Sequence, residues 1–115
     1  MTGQEIAALT GSPIRVGAHT VGHPSLPRLS PAEQRAEIEQ SRLACEAMTG
    51  ARVGQFAYPF GHYDAASVQA VRAAGLDSAC ATTAGVVRPW TDVLRLPRVS
   101  PGQRDGEALL RLLAA

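Results

Sequence analysis

Short strand-like stretches, separated by helix start and stop signals, constrain this chain more than any other feature. The stretches cover residues 14–18, 54–58 and 77–82. In the first, Ile14, Val16 and Ala18 alternate with Arg15 and Gly17, the period of a half-buried strand. Between the first and second, Ser30-Pro31-Ala32-Glu33 marks a helix start. Ser30 suits the cap, Pro31 the first helical position and Glu33 the reciprocal capping bond. This helix is predicted to run to about Met48 with Gly50 as its stop, and with Ile38, Leu43, Ala44 and Met48 facing the core. Between the second and third, Asp64 caps a helix through Ala74, with Val68, Val71 and Ala74 inward and Gly75 past its end. Strands alternating with helices predict βαβ units and a parallel sheet.

Shorter elements flank this pattern. A helix over residues 4–9 is expected to end at Thr10-Gly11-Ser12-Pro13. After the third strand come a loop at 84–92, an extended stretch at 94–99 and a last helix at about 107–113. The 115 residues suit one domain, taken as 1–115, and fall well short of the roughly 250 of a whole enzyme barrel.

Right-handed crossovers put every loop that follows a strand on one sheet edge, where α/β proteins bind ligands. His19 and His23 fall on the first such loop, in Gly17-Ala18-His19-Thr20-Val21-Gly22-His23-Pro24. They are two of only three histidines, and their spacing lets two imidazoles share one cation. Pro24, Pro27 and Pro31 stop a regular helix from continuing there. Phe60 to Tyr63 lie on the second loop, and Arg88 to Asp92 on the third.

Formal charge is near neutral, at +1, with acidic and basic residues interspersed, so neither a nucleic-acid partner nor an anionic-membrane patch is expected. No apolar run is long enough to span a bilayer, and none follows a basic start as in a signal peptide. The sequence leaves the compartment open, reading as cytoplasmic only as it stands, without a visible signal peptide. Cys45 and Cys80 follow no metal or redox spacing and are expected to be small buried hydrophobes.

These residues resemble the polysaccharide deacetylase family, carbohydrate esterase family four. His19-Thr20-Val21-Gly22-His23-Pro24 matches its second motif in full, and Phe56-Ala57-Tyr58-Pro59-Phe60-Gly61 is similar to a Tyr-Pro-Phe-Gly variant of its third. Cys80-Ala81-Thr82-Thr83 and Leu94-Arg95-Leu96-Pro97-Arg98 resemble the same branch. The resemblance implies an α/β fold: part of a distorted (β/α) barrel, with about three to four parallel strands and alternating helices. It implies removal of acetyl groups from an N- or O-acetylated glycan. It also implies a divalent metal, usually zinc, on His19 and His23, which polarises the acetyl carbonyl and lowers the pKa of bound water to about 7. The backbone N–H near Phe60 would stabilise the oxyanion, and Thr20 would orient an imidazole.

Tyr58, Pro59, Tyr63 and Trp90 are the expected sugar-contacting residues. The Thr-Phe-Asp-Asp-Gly motif, source of the base and the third metal ligand, is absent from the sequence, and so is the histidine of the Leu-x-His motif. The resemblance thus implies the carboxyl-terminal part of a deacetylase domain, lacking its base. The alternative is a non-catalytic remnant that binds glycan or metal. His62, Asp64 and Asp92 are the in-chain substitutes to weigh as ligands. Sheet edges left open in such a part are expected to promote self-association.

Overall fold

The computed structural model describes residues 2–9, 12–99 and 105–114. Its elements run α1 (Gly3–Ala7), α2 (Pro31–Thr49), β1 (Gln55–Ala57), α3 (Ala65–Ala73), β2 (Ser78–Ala84), β3 (Leu96–Arg98) and α4 (Gly106–Ala114). The three strands form one parallel sheet in the order β1-β2-β3. The α/β expectation therefore holds, with strands and helices alternating through the centre of the chain.

The two predicted caps are present. Ser30 accepts from Glu33 N–H at 3.2 Å while Glu33 reaches back to Ser30 N–H at 3.0 Å. Asp64 and Ser67 repeat the arrangement at the start of α3. Gly50 ends α2 at φ 68°, a left-handed conformation that glycine adopts without steric cost. The first helix is shorter than expected, and Thr10 and Gly11, its expected stop, lie outside the described residues.

The stretch 14–18 departs from expectation. It joins the sheet at a single parallel bridge, Ala18 with Phe56, rather than as a full strand. Ala18 N–H donates to Gln55 at 2.9 Å and its carbonyl accepts from Ala57 at 3.1 Å. Its neighbour β1 spans only three residues, and Ile14 is left 59% exposed, so little ladder is available.

The core gathers Ala18, Leu26, Ile38, Val53, Phe56, Val71, Ala79 and Leu94 between sheet and helices. α2 buries Gln34, Ile38 and Ser41, not the predicted Leu43, Ala44 and Met48, which are exposed. The polar members are satisfied. The Gln34 side-chain carbonyl accepts from the Ser67 hydroxyl at 2.5 Å, and Ser41 Oγ donates to Ile38 at 2.9 Å. On α3, Ser67, Ala70 and Val71 are buried, with Val68 and Ala74 partly so. Cys45 and Cys80 are free and half-buried rather than fully buried. No helix among the described residues is long and apolar enough to cross a membrane.

Candidate metal and ligand site

Parallel strands deliver the loop after Ala18 and the loop after β1 to the same edge. There the rings of His19 and His23 lie 4.8 Å apart, in an edge-on arrangement at 61°. Phe60 packs edge-on to His23 at 4.7 Å, and His62 lies 5.7 Å from Phe60. Two loops thus supply a row of four rings, three of them imidazoles. All four residues are exposed to solvent.

Three contacts fix the first loop. His19 Nδ1 is 2.7 Å from the Ala57 carbonyl oxygen, so it carries the proton and donates. In the neutral ring this leaves the lone pair on Nε2, the state in which an imidazole binds a cation. The Glu37 carboxylate reaches from α2 and accepts from Val21 N–H at 2.8 Å and Gly22 N–H at 3.0 Å. Thr20 Oγ1 accepts from His23 N–H at 3.1 Å. Thr20 therefore shapes the backbone of the loop instead of orienting an imidazole, because its short side chain folds onto its own turn.

Backbone strain is concentrated here. Thr20, His23 and Phe60 have φ of 69°, 55° and 58°, and they are the non-glycine residues at positive φ among those described. A β-branched threonine in that region is a genuine outlier. Such conformations persist where the surroundings over-determine them, often at ligand sites. In the second loop, Gly61 N–H donates to Tyr58 at 2.8 Å and His62 N–H to Pro59 at 3.0 Å, closing a tight turn around Phe60. The Phe60 N–H has no acceptor among the described residues. Gly61, at φ 71°, lies so close to β2 that a Cβ would collide with Thr82.

The other expected site residues are placed differently. Tyr58 is only 2% exposed, and its hydroxyl donates to the Leu94 carbonyl at 2.7 Å. Burial, with Asp92 nearby, pushes its phenol well up, so it stays a neutral donor. Pro59 is also buried. Neither side chain is open to a sugar, because the turn folds both under Phe60 and onto the core. Tyr63 is half-buried, its ring 5.1 Å from Tyr58. Trp90 is 81% exposed on the loop between β2 and β3.

The substitute carboxylates are committed locally. Asp64 caps α3, and the Ser67 N–H holds it below the usual carboxylate range. Asp92 accepts from Leu94 N–H at 2.9 Å and pairs with Arg95 at 2.9 Å, and these partners likewise hold it low. His62 Nδ1 faces the Ser25 hydroxyl at 3.0 Å. No group of three His, Cys, Asp or Glu able to hold a metal is found among the described residues. The His19–His23 pair fits two positions of a divalent-cation site, and the described residues do not supply a third. A catalytic zinc site ordinarily has three protein ligands.

Glu37 and Ser25 carry no signal in the sequence. Glu37 reads as one more solvent-facing helix residue, and Ser25 as part of a proline-rich loop.

A family model described as polysaccharide deacetylase matches residues 1–79. No curated protein matches the chain. Among solved structures, a Streptococcus pyogenes deacetylase in complex with acetate superposes with a TM-score of 0.80 at 24% identity, over 94% of this chain and 56% of that one. A Bacillus cereus polysaccharide deacetylase gives 0.86 at 25% identity, over 98% of this chain and 36% of that one. One from Bacillus anthracis, described as putative, gives 0.74 at 26% identity, over 86% and 32%. The chain thus spans between about a third and just over half of these relatives.

Proposed function

This chain belongs to the polysaccharide deacetylase family, and we propose that its exposed ring cluster is the imidazole rim of a site that removes acetyl groups from an N- or O-acetylated glycan. At the family level it is an enzyme, a hydrolase acting on polysaccharide. The observation that carries the reading is the His19–Ala57 bond. It ties up one ring nitrogen and leaves the other free beside His23.

His19 and His23 are the residues that would hold a divalent cation, with zinc our first choice since imidazole suits it well. Such a cation would supply Lewis acidity to the acetyl carbonyl. The chain's own residues shape the site around that position. Glu37 and Thr20 hold the loop on which both rings stand, 4.8 Å apart. The Phe60 N–H, without an internal acceptor, is available to an oxyanion. The Phe60 ring, Tyr63 and Trp90 offer apolar faces to a sugar, with Tyr63 the least accessible.

The test is acetate release from a chitin oligomer by the zinc-loaded chain. Turnover that is lost in both His19→Ala and His23→Ala supports the reading. A second reading is favoured by the incomplete donor set: a module that binds metal or glycan without turnover. Zinc binding lost in the same two variants, with no acetate released by the parent chain, supports that one.

A further inference from the structure

Zinc takes four protein ligands in a closed site and three plus an open position in a catalytic one. This chain offers a pair. His19 and His23 are both exposed, with rings 4.8 Å apart. The bond to Ala57 leaves one nitrogen of His19 for a cation, and the His23 ring has no hydrogen-bond partner among the described residues. The carboxylates of this edge are engaged. Glu37 accepts two loop N–H groups, Asp64 caps α3, and Asp92 is held by Leu94 N–H and Arg95. The residues outside the described set add no histidine, cysteine, aspartate or glutamate. The remaining positions around a cation therefore fall to water or to another molecule.

The surface around the pair suits a second copy of itself. Residues 16–27 and 53–63, which carry both loops, contain no Asp, Glu, Lys or Arg. Across a two-fold axis each group meets its own copy, so an uncharged patch brings no like charges together. Val21, between the two histidines, is 63% exposed, and Phe60, packed on His23, is 58% exposed. A contact between copies would remove that apolar surface from water. Two copies also bring four imidazoles to one ion, the full tetrahedral set.

We propose that one zinc ion joins two copies of this chain through His19 and His23 of each. This bridging rests on the cation reading of the pair and not on hydrolysis. A bridged ion has no open position for water or an acetyl group, so the joined form is a silent one. Mass action selects between the forms. Chain in excess of zinc favours the bridge, and zinc in excess gives each pair its own ion.

The test uses the full 115-residue chain carrying Ile14→Lys, which removes the open sheet edge from the background. Sedimentation velocity follows its mass without zinc, with half an equivalent and with a large excess. The mass is expected to double at half an equivalent and to return toward the monomer's in excess. Long-range proton–nitrogen NMR at half an equivalent is expected to show the His19 and His23 rings of every chain shifted. His19→Ala and His23→Asn are expected to abolish the doubling, asparagine being tolerant of the positive φ at position 23. Circular dichroism checks that both fold; where one does not, the zinc-ratio dependence of the parent decides. His62→Ala is expected to double as the parent does.

Bridging is overturned if zinc binds while the mass stays the monomer's, or if the mass is already doubled without zinc. It is equally overturned if the doubling survives excess zinc or either folded histidine variant, if it needs His62, or if half an equivalent shifts only half of the rings. Binding without doubling overturns the bridge and leaves the cation reading standing. A chain that binds no zinc at any ratio overturns both.

Discussion

The Glu37 carboxylate on α2 lies 3.0 Å from the backbone nitrogen of Gly22, in the loop between the paired histidines. The same oxygen also accepts from Val21. A helix side chain thus sets the shape of the loop on which both candidate ligands stand. Glu37→Ala is expected to cost about 1.5–3 kcal/mol, the range for hydrogen bonds to a charged group. Metal affinity is expected to fall about 10–100-fold, as when a ligand's supporting contacts are lost. Urea unfolding and calorimetric zinc titration read the two effects separately.

Gly61 is the tightest point between the second loop and the sheet. An alanine there adopts a positive φ and drives its Cβ into Thr82. Gly61→Ala is expected to destabilise by about 2–4 kcal/mol, combining backbone strain with overpacking. Pairing it with Thr82→Gly removes the collision but not the strain, so about half of the loss should return. Thermal unfolding of the single and double variants measures this.

Asp64 gives the fold an acid-sensitive helix cap. The Ser67 N–H, chiefly, holds its carboxyl below the ordinary range in the folded state. Its contribution is therefore fully present above the unfolded carboxylate value and is lost as pH falls through the lower, folded value. Asp64→Asn keeps a capping oxygen without the charge, so its stability should fall less steeply than the parent's below about pH 4, the unfolded aspartate value. Unfolding at pH 6 and pH 3 compares the two slopes.

Residues 14–17 pair with no strand among the described residues, and Ile14 is 59% exposed there. Self-association through this edge is expected on general grounds for open sheets. Ile14→Lys should shift sedimenting species toward monomer, and an unchanged distribution would count against the edge as the contact.

Punctuation was the most legible level of the sequence. Ser30, Glu33 and Asp64 bind their own backbone within three residues, so their role needs no tertiary information. The same holds for Gly50 and Gly75, whose positive φ is local. The three strands of the sheet were read to within about two residues because helix stop and start signals bracket them, whereas the stretch 14–18 meets the sheet at one bridge only. The buried face of α2 was not legible, since Gln34 and Ser41 are polar and become core residues only through partners elsewhere. Leu26 is fully buried within a short proline turn that hydrophobic periodicity does not register. In the candidate site, the histidine spacing was visible, whereas the supports from Glu37, Ala57 and Ser25 depend on contacts across loops. Tyr58 read as a ligand-facing aromatic because the sequence does not reveal that its hydroxyl meets Leu94.

His19 and His23 are expected to hold one cation together. Imidazole nitrogen resonances, followed by long-range proton–nitrogen NMR during zinc titration, test it most directly. With one shared cation, one ring nitrogen of His19 and one of His23 shift together, at one zinc per chain, while His62 does not shift with them. Resonances of His19 and His23 that move independently, or not at all, would contradict it.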